Sequence, residues 1–184
     1  MVRAAASASN DGSASVAVLF SPRAVPIIDI FRALGDFEQH YDVAALDLLE
    51  SRLARSMSRD VAKGIVSDAL LLAFGLRRER AGPMEYRPVL SRRGSLDEYR
   101  LMGLIGATFW HDFVLAGEAA AALGIRHQQP LVSLAFDIAR RLEAAGIGLD
   151  APDVRLLRPP PSASAFGLLD ERAGAAGLKL SFDF

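Results

Sequence analysis

Residues 95–124 read S-L-D-E-Y-R-L-M-G-L-I-G-A-T-F-W-H-D-F-V-L-A-G-E-A-A-A-A-L-G. Between Leu101 and Ala122 the only ionisable side chains are His111, Asp112 and Glu118. A helix this apolar on every side is stable in water only when other elements surround it. The stretch therefore predicts a buried central helix with the rest of the chain packed around it. Its start is marked by Ser95-Leu96-Asp97-Glu98, the pattern of a capping box. In that motif the serine oxygen accepts from the third helical amide and the glutamate reaches back to the cap amide. Gly124 marks its end.

Upstream, residues 16–20 form a short apolar run, V-A-V-L-F, closed by Ser21-Pro22. This predicts a short strand. Pro26 suits the first turn of a helix that runs through Ile27, Ile28, Ile30, Phe31 and Leu34 and stops at Gly35. Residues 36–41 read as a polar connection, with Asp42 as the cap of a second helix bearing Leu46, Leu49, Leu53 and Met57 on one face. Ser58 caps a third helix over residues 59–76, apolar nearly all round in its second half. Residues 77–94 hold six arginines, Arg77, Arg78, Arg80, Arg87, Arg92 and Arg93, and read as an exposed loop with a possible strand at residues 84–90.

Downstream, Pro130 opens a fifth helix whose buried face is Leu131, Leu134, Ala135, Ile138 and Leu142, ended by Gly146 and Gly148. A short run at 154–157 leads into Pro159-Pro160-Pro161. An Ala-rich helix at 165–176 follows, and the alternating L-K-L-S-F-D-F of residues 178–184 reads as a half-buried strand. The expected fold is mainly α: a bundle of about five helices around the central one. Short N- and C-terminal strands form a small appended β element. Residues 1–14 read as a disordered tail and residues 15–184 as a single globular domain, with a helical core over 25–147 and a C-terminal αβ extension over 151–184.

The 184-residue chain is 51% apolar and 23% charged, with a formal net charge of -1 and no cysteine. Enough apolar material is present for one sizeable core. The charge balance gives no global attraction to nucleic acid or anionic membrane. Thiolate metal sites, disulfides and cysteine nucleophiles are excluded. Residues 101–122 are long enough to span a bilayer. An acidic group at the bilayer centre would cost about 2.5–3.5 kcal/mol, however, and favours a buried soluble helix. Cytoplasmic location is the default expectation. High Ala, Arg and Gly usage points to a GC-rich bacterial gene.

Two sets of residues could carry function. His111, Asp112 and Glu118 interrupt an apolar segment. On a continuous helix His111 and Glu118, seven residues apart, share a face and could line a catalytic pocket. A packed core histidine and a hydrogen-bonded carboxylate are the plainer reading. The six arginines could bind an acidic partner or phosphate, or pair with the six acids among residues 29–50. Tyr86 alone is available there for base stacking, which argues against nucleic acid. Gly103, Gly106 and Gly117 predict close approach of another backbone, or less simply a cofactor. His40-Tyr41-Asp42 reads as a polar loop ending in a cap. No reaction motif occurs and no cofactor is indicated. The primary expectation is a non-enzymatic accessory protein that binds a protein partner or itself. The alternative is a small enzyme or ligand-binding protein with its pocket beside His111.

Overall fold

The computed structural model describes residues 18–40 and 43–157, with the side chains of 36–40, 43 and 45 excepted. Residues 1–17 and 158–184, including the expected N-terminal tail, the Ala-rich helix and the alternating strand at 178–184, lie outside the described residues. Seven helices and two short strands follow in the order β1 (Val18–Leu19), α1 (Val25–His40), α2 (Val43–Leu53), α3 (Arg59–Glu79), β2 (Arg93–Gly94), α4 (Leu96–Phe109), α5 (Phe113–Ala122), α6 (Gln128–Ala144) and α7 (Val154–Leu157). The fold is mainly helical, a bundle with one small antiparallel ribbon, in which Val18 faces Gly94 and Leu19 faces Arg93.

The bundle forms because each helix hides an apolar face. α6 lies against α3, α4 and α5, and α1 packs on α2 and α3. The core takes Ile27, Ile28, Phe31 and Leu34 from α1, Ile65, Leu72 and Leu76 from α3, and Ile138 and Leu142 from α6. α4 is deeply set: every residue from Leu101 to Thr108 is buried, and the helix packs on α5, α6 and α7. Its capping box is present as expected, with Ser95 accepting from the Glu98 amide and Glu98 accepting from the Ser95 amide.

The apolar stretch is nevertheless two helices and not one. α4 ends at Phe109, and Trp110 to Asp112 turn the chain into α5. The Asp112 amide donates to the Ala107 carbonyl at 2.9 Å and the His111 amide to the Thr108 carbonyl at 3.1 Å. This is a Schellman ending, whose pivot residue must be left-handed. α5 and α6 end the same way, with glycine at the pivot: Gly124 at φ +75° and Gly146 at +71°. In α4 the pivot is His111, at φ +57°. Histidine tolerates that conformation better than most residues, so no glycine announces the break.

Other boundaries shift for identifiable reasons. α1 runs through Gly35 to His40 instead of stopping. Gly35 is a packing residue: a Cβ there would lie 2.9 Å from the Tyr86 ring. α3 continues past residue 76 and takes in Arg77 and Arg78. Residues 84–90 form no strand; the ribbon partner of β1 is Arg93–Gly94. Residues 154–157 are a helical turn. The Leu157 side chain of that turn is what approaches Gly103. At Gly106 the neighbour is the Asp150 carbonyl, which a Cβ would meet at 3.4 Å.

One buried ionic cluster joins these pieces. Arg32 of α1 uses all five guanidinium N–H groups. Nε donates to Glu98 Oε1 at 2.7 Å and Nη2 to Glu98 Oε2 at 3.1 Å. Nη1 donates to Asp29 Oδ1 at 3.0 Å and to the Ser91 carbonyl at 2.7 Å, and Nη2 also donates to the Arg93 carbonyl at 3.1 Å. Glu98 further accepts from the Arg87 and Ser95 amides. Asp29 accepts from the Leu90 amide. Burial opposes the charge on Arg32, but hydrogen bonds and attraction from Glu98 and Asp29 outweigh it and hold its pKa above the ordinary value. Arg32→Met leaves two carboxylates buried without their cation, and should lower stability by about 3–5 kcal/mol in urea unfolding. Arg140→Met removes an exposed pair with Asp137, and should cost less than about 1 kcal/mol.

Candidate functional site

The ionic cluster ties residues 87–93 to α1 and α4, and a cleft of about 1010 Å³ is lined by residues of α1, the end of α3 and residues 80–89. Arg32, Arg77, Arg80 and Arg87 line it, with Gly35 and Tyr86 in contact on one wall. No aspartate or glutamate is among its described lining residues. Three of the four arginines belong to the expected partner-binding set, Arg77, Arg80 and Arg87, and of these Arg80 and Arg87 are loop residues. Arg77 reaches the cleft from the last turn of α3.

The four are not equivalent. Arg32 is saturated, and its charge is more than balanced by two carboxylates. Arg80 donates from Nη2 to Asp97 at 2.8 Å and from Nε to the Gly82 carbonyl at 3.3 Å. Its Nη1 is buried with no hydrogen-bond partner among the described residues. Arg87 meets Glu85 at 3.1 Å. The other three arginines of the set do not line the cleft. Arg78 is exposed at 3.9 Å from Glu79. Arg92 Nε donates to the Phe20 carbonyl, and Arg93 lies in β2. Arg80 thus pairs with Asp97 at the head of α4, and not with the acidic stretch at residues 29–50. Among the described residues of that stretch, Asp29 is the one that holds the loop, through its bond to Leu90.

The loop carries a backbone feature of its own. The Ser91 amide donates to the Pro88 carbonyl at 3.1 Å, closing a turn whose third residue, Leu90, has φ +68°. A positive φ at that position alone is the type II pattern, which favours glycine. Leu90 is also 74% exposed. Its amide points at the Asp29 carboxylate, with 3.0 Å to each oxygen, so the buried cluster holds the turn in this shape.

His111 and Asp112 are placed together in the exposed turn between α4 and α5. The Asp112 side chain caps α5 by accepting from the Leu115 amide at 2.9 Å. The His111 ring meets Phe136 and Phe113 edge-on, with centroids 5.9 and 6.5 Å apart. Glu118 is half-buried in the middle of α5. Because His111 is a turn residue, the seven-residue spacing to Glu118 no longer places the two on one helical face. Thr108 Oγ1 donates back to the Ile105 carbonyl at 2.9 Å. The surroundings of His111 are apolar and open: Trp110, Phe113 and Val114 are 57%, 51% and 78% exposed. The side chains of His40, Tyr41 and Asp42 lie outside the described residues.

The cluster of Asp29, Arg32 and Glu98 is not foreseen from the sequence. Its signal is present, since Asp29 and Arg32 interrupt the apolar run of Ile27, Ile28, Ile30, Phe31 and Leu34, as His111 and Asp112 interrupt theirs.

The chain is a mainly helical protein with an arginine-lined cleft, three of whose arginines also face carboxylates outside the lining. The chain matches no protein-family model, no curated protein and no solved structure. No helix among the described residues is long and apolar enough to cross a membrane.

Leu90→Gly relieves a left-handed leucine at an exposed position. It should raise the free energy of unfolding by about 1 kcal/mol, read from the urea midpoint at constant m value.

Proposed function

We propose that this is a cytoplasmic, non-enzymatic accessory protein that holds an acidic segment of a protein partner in the cleft between α1, α3 and residues 80–92. The observation that carries the reading is the lining: four arginines and no carboxylate among the described residues around one concavity. Arginine presents a planar fork of donors that matches a carboxylate in two-point contact. Arg80 adds a buried Nη1 that lacks an acceptor among the described residues, and an incoming carboxylate oxygen is the kind of group that satisfies it. Arg32 is already saturated, so its part is to shape the wall. Arg80, through that Nη1, is the residue assigned to meet the ligand, and Arg77 and Arg87 add positive charge to the same lining. A protein partner is favoured over nucleic acid by the net charge of -1 and by Tyr86 being the one aromatic residue among the described lining.

The probe is a fluorescently labelled decaglutamate peptide, followed by anisotropy at low ionic strength. The unaltered protein should bind it with an affinity that falls as salt rises. Charge reversal at both cleft positions, Arg77→Glu with Arg87→Glu, should weaken binding by about tenfold or more. Arg78→Glu, outside the cleft, should change it by less than about twofold. Absence of binding by the unaltered protein, or equal loss in the Arg78 variant, would rule the reading out.

A further inference from the structure

The junction of α4 and α5 leaves Trp110, Phe113 and Val114 largely in water, next to the half-buried Phe136. Three large apolar side chains within five positions are exposed at one tip. Trp110 is held there, since its Nε1 donates to the Leu149 carbonyl at 3.1 Å. The tip also rests on a left-handed histidine, where α5 and α6 use glycine. An apolar patch concentrated at one tip in this way is often a functional surface.

Its size says what sort of cover suits it. Phe and Trp side chains offer roughly 150–250 Å² each. With about half of each exposed, the patch with Val114 amounts to on the order of 300–400 Å². A second copy or a separate protein would need about 800 Å² per partner for a stable complex. A tethered segment needs far less, because its effective concentration reaches roughly millimolar.

The chain supplies such a segment. The last described element, α7, rests on α4 and α5 themselves, and Leu157 packs at Gly103. Gly103 precedes Trp110 by seven residues, about 10 Å along a helix. Residues 158–177 can span up to roughly 65 Å, so the distance is no obstacle. Residues 178–184, L-K-L-S-F-D-F, place Leu178, Leu180, Phe182 and Phe184 on one side when extended, and Lys179, Ser181 and Asp183 on the other. We propose that the tip formed by Trp110, Phe113 and Val114 is an intramolecular docking site for residues 178–184. This is independent of the arginine cleft and of the partner assigned to it.

Trp110 is the single tryptophan of the chain, so its emission reports on this tip alone. Iodide quenching is compared between the unaltered full chain and a full chain carrying Leu180→Ser and Phe182→Ser. Quenching should be about threefold stronger in the variant, and tenfold dilution should change neither value. Equal quenching in the two proteins overturns the proposal. Protection in the unaltered chain that disappears on dilution assigns the patch to a second copy, and also overturns it. Should the tail variant lose its helical circular dichroism, Val114→Ser replaces it. That exposed position lies on the patch itself, and the same two outcomes decide.

Discussion

The arrangement turns on one guanidinium. Arg32 lies in the core of α1, and every one of its donors is met, by two carboxylates and two main-chain carbonyls. A buried cation with unmet donors is costly, so α1, the chain at Ser91 and Arg93, and the first turn of α4 are placed together. Glu98 serves two purposes. It closes the capping box of α4, and it neutralises Arg32. Removing either partner strands a charge, which is why the pair is more a constraint on geometry than a source of net stability.

From that constraint follow the shape of residues 80–92 and the cleft beneath them. The loop has no regular structure over residues 84–90. Its main chain is held by side chains instead: the Arg87 amide by Glu98, the Leu90 amide by Asp29, and the Glu85 carbonyl by the Ser95 hydroxyl. Asp29 holds Leu90 in a conformation that leucine ordinarily avoids. The arginine-lined wall of the cleft is therefore a by-product of a loop whose main chain is anchored by Glu98 and Asp29. The opposite feature of the molecule, the aromatic tip, arises where α4 turns into α5. There the Schellman ending spends Trp110 and His111 on a turn and pushes Phe113 and Val114 outward.

Much of the bundle was legible from periodicity. The capping box at Ser95, the Ser58 cap, and the stops at Gly124 and Gly146 are all local, and all are present. The misreadings share a physical cause. Gly35 looked like a terminator because glycine ends helices, but it remains helical and makes room for Tyr86. The stretch at residues 95–124 looked continuous because its break relies on a histidine pivot and an aspartate cap. Both are residues a helix can also carry in its interior. The arginines at 77–93 look alike in sequence, yet the side chains of Arg80 and Arg92 make bonds that fasten the loop, Arg93 contributes its main chain, and Arg77 belongs to the last turn of α3.

What the chain's own pattern determined is the helical class, the faces that are buried and the deep burial of residues 101–108. These depend on spacings of three and four residues and on caps within a single turn. What only the tertiary structure decided is which charges are internal. The pair Asp29 and Arg32 is far from Glu98 in sequence, and all three are ordinary in type. The apolar run around Arg32 hints that it is unusual, but its burial and its partner Glu98 are set by the elements packed over it. The cleft exists for the same reason: four arginines from two helices and one loop converge only when the core brings those elements side by side.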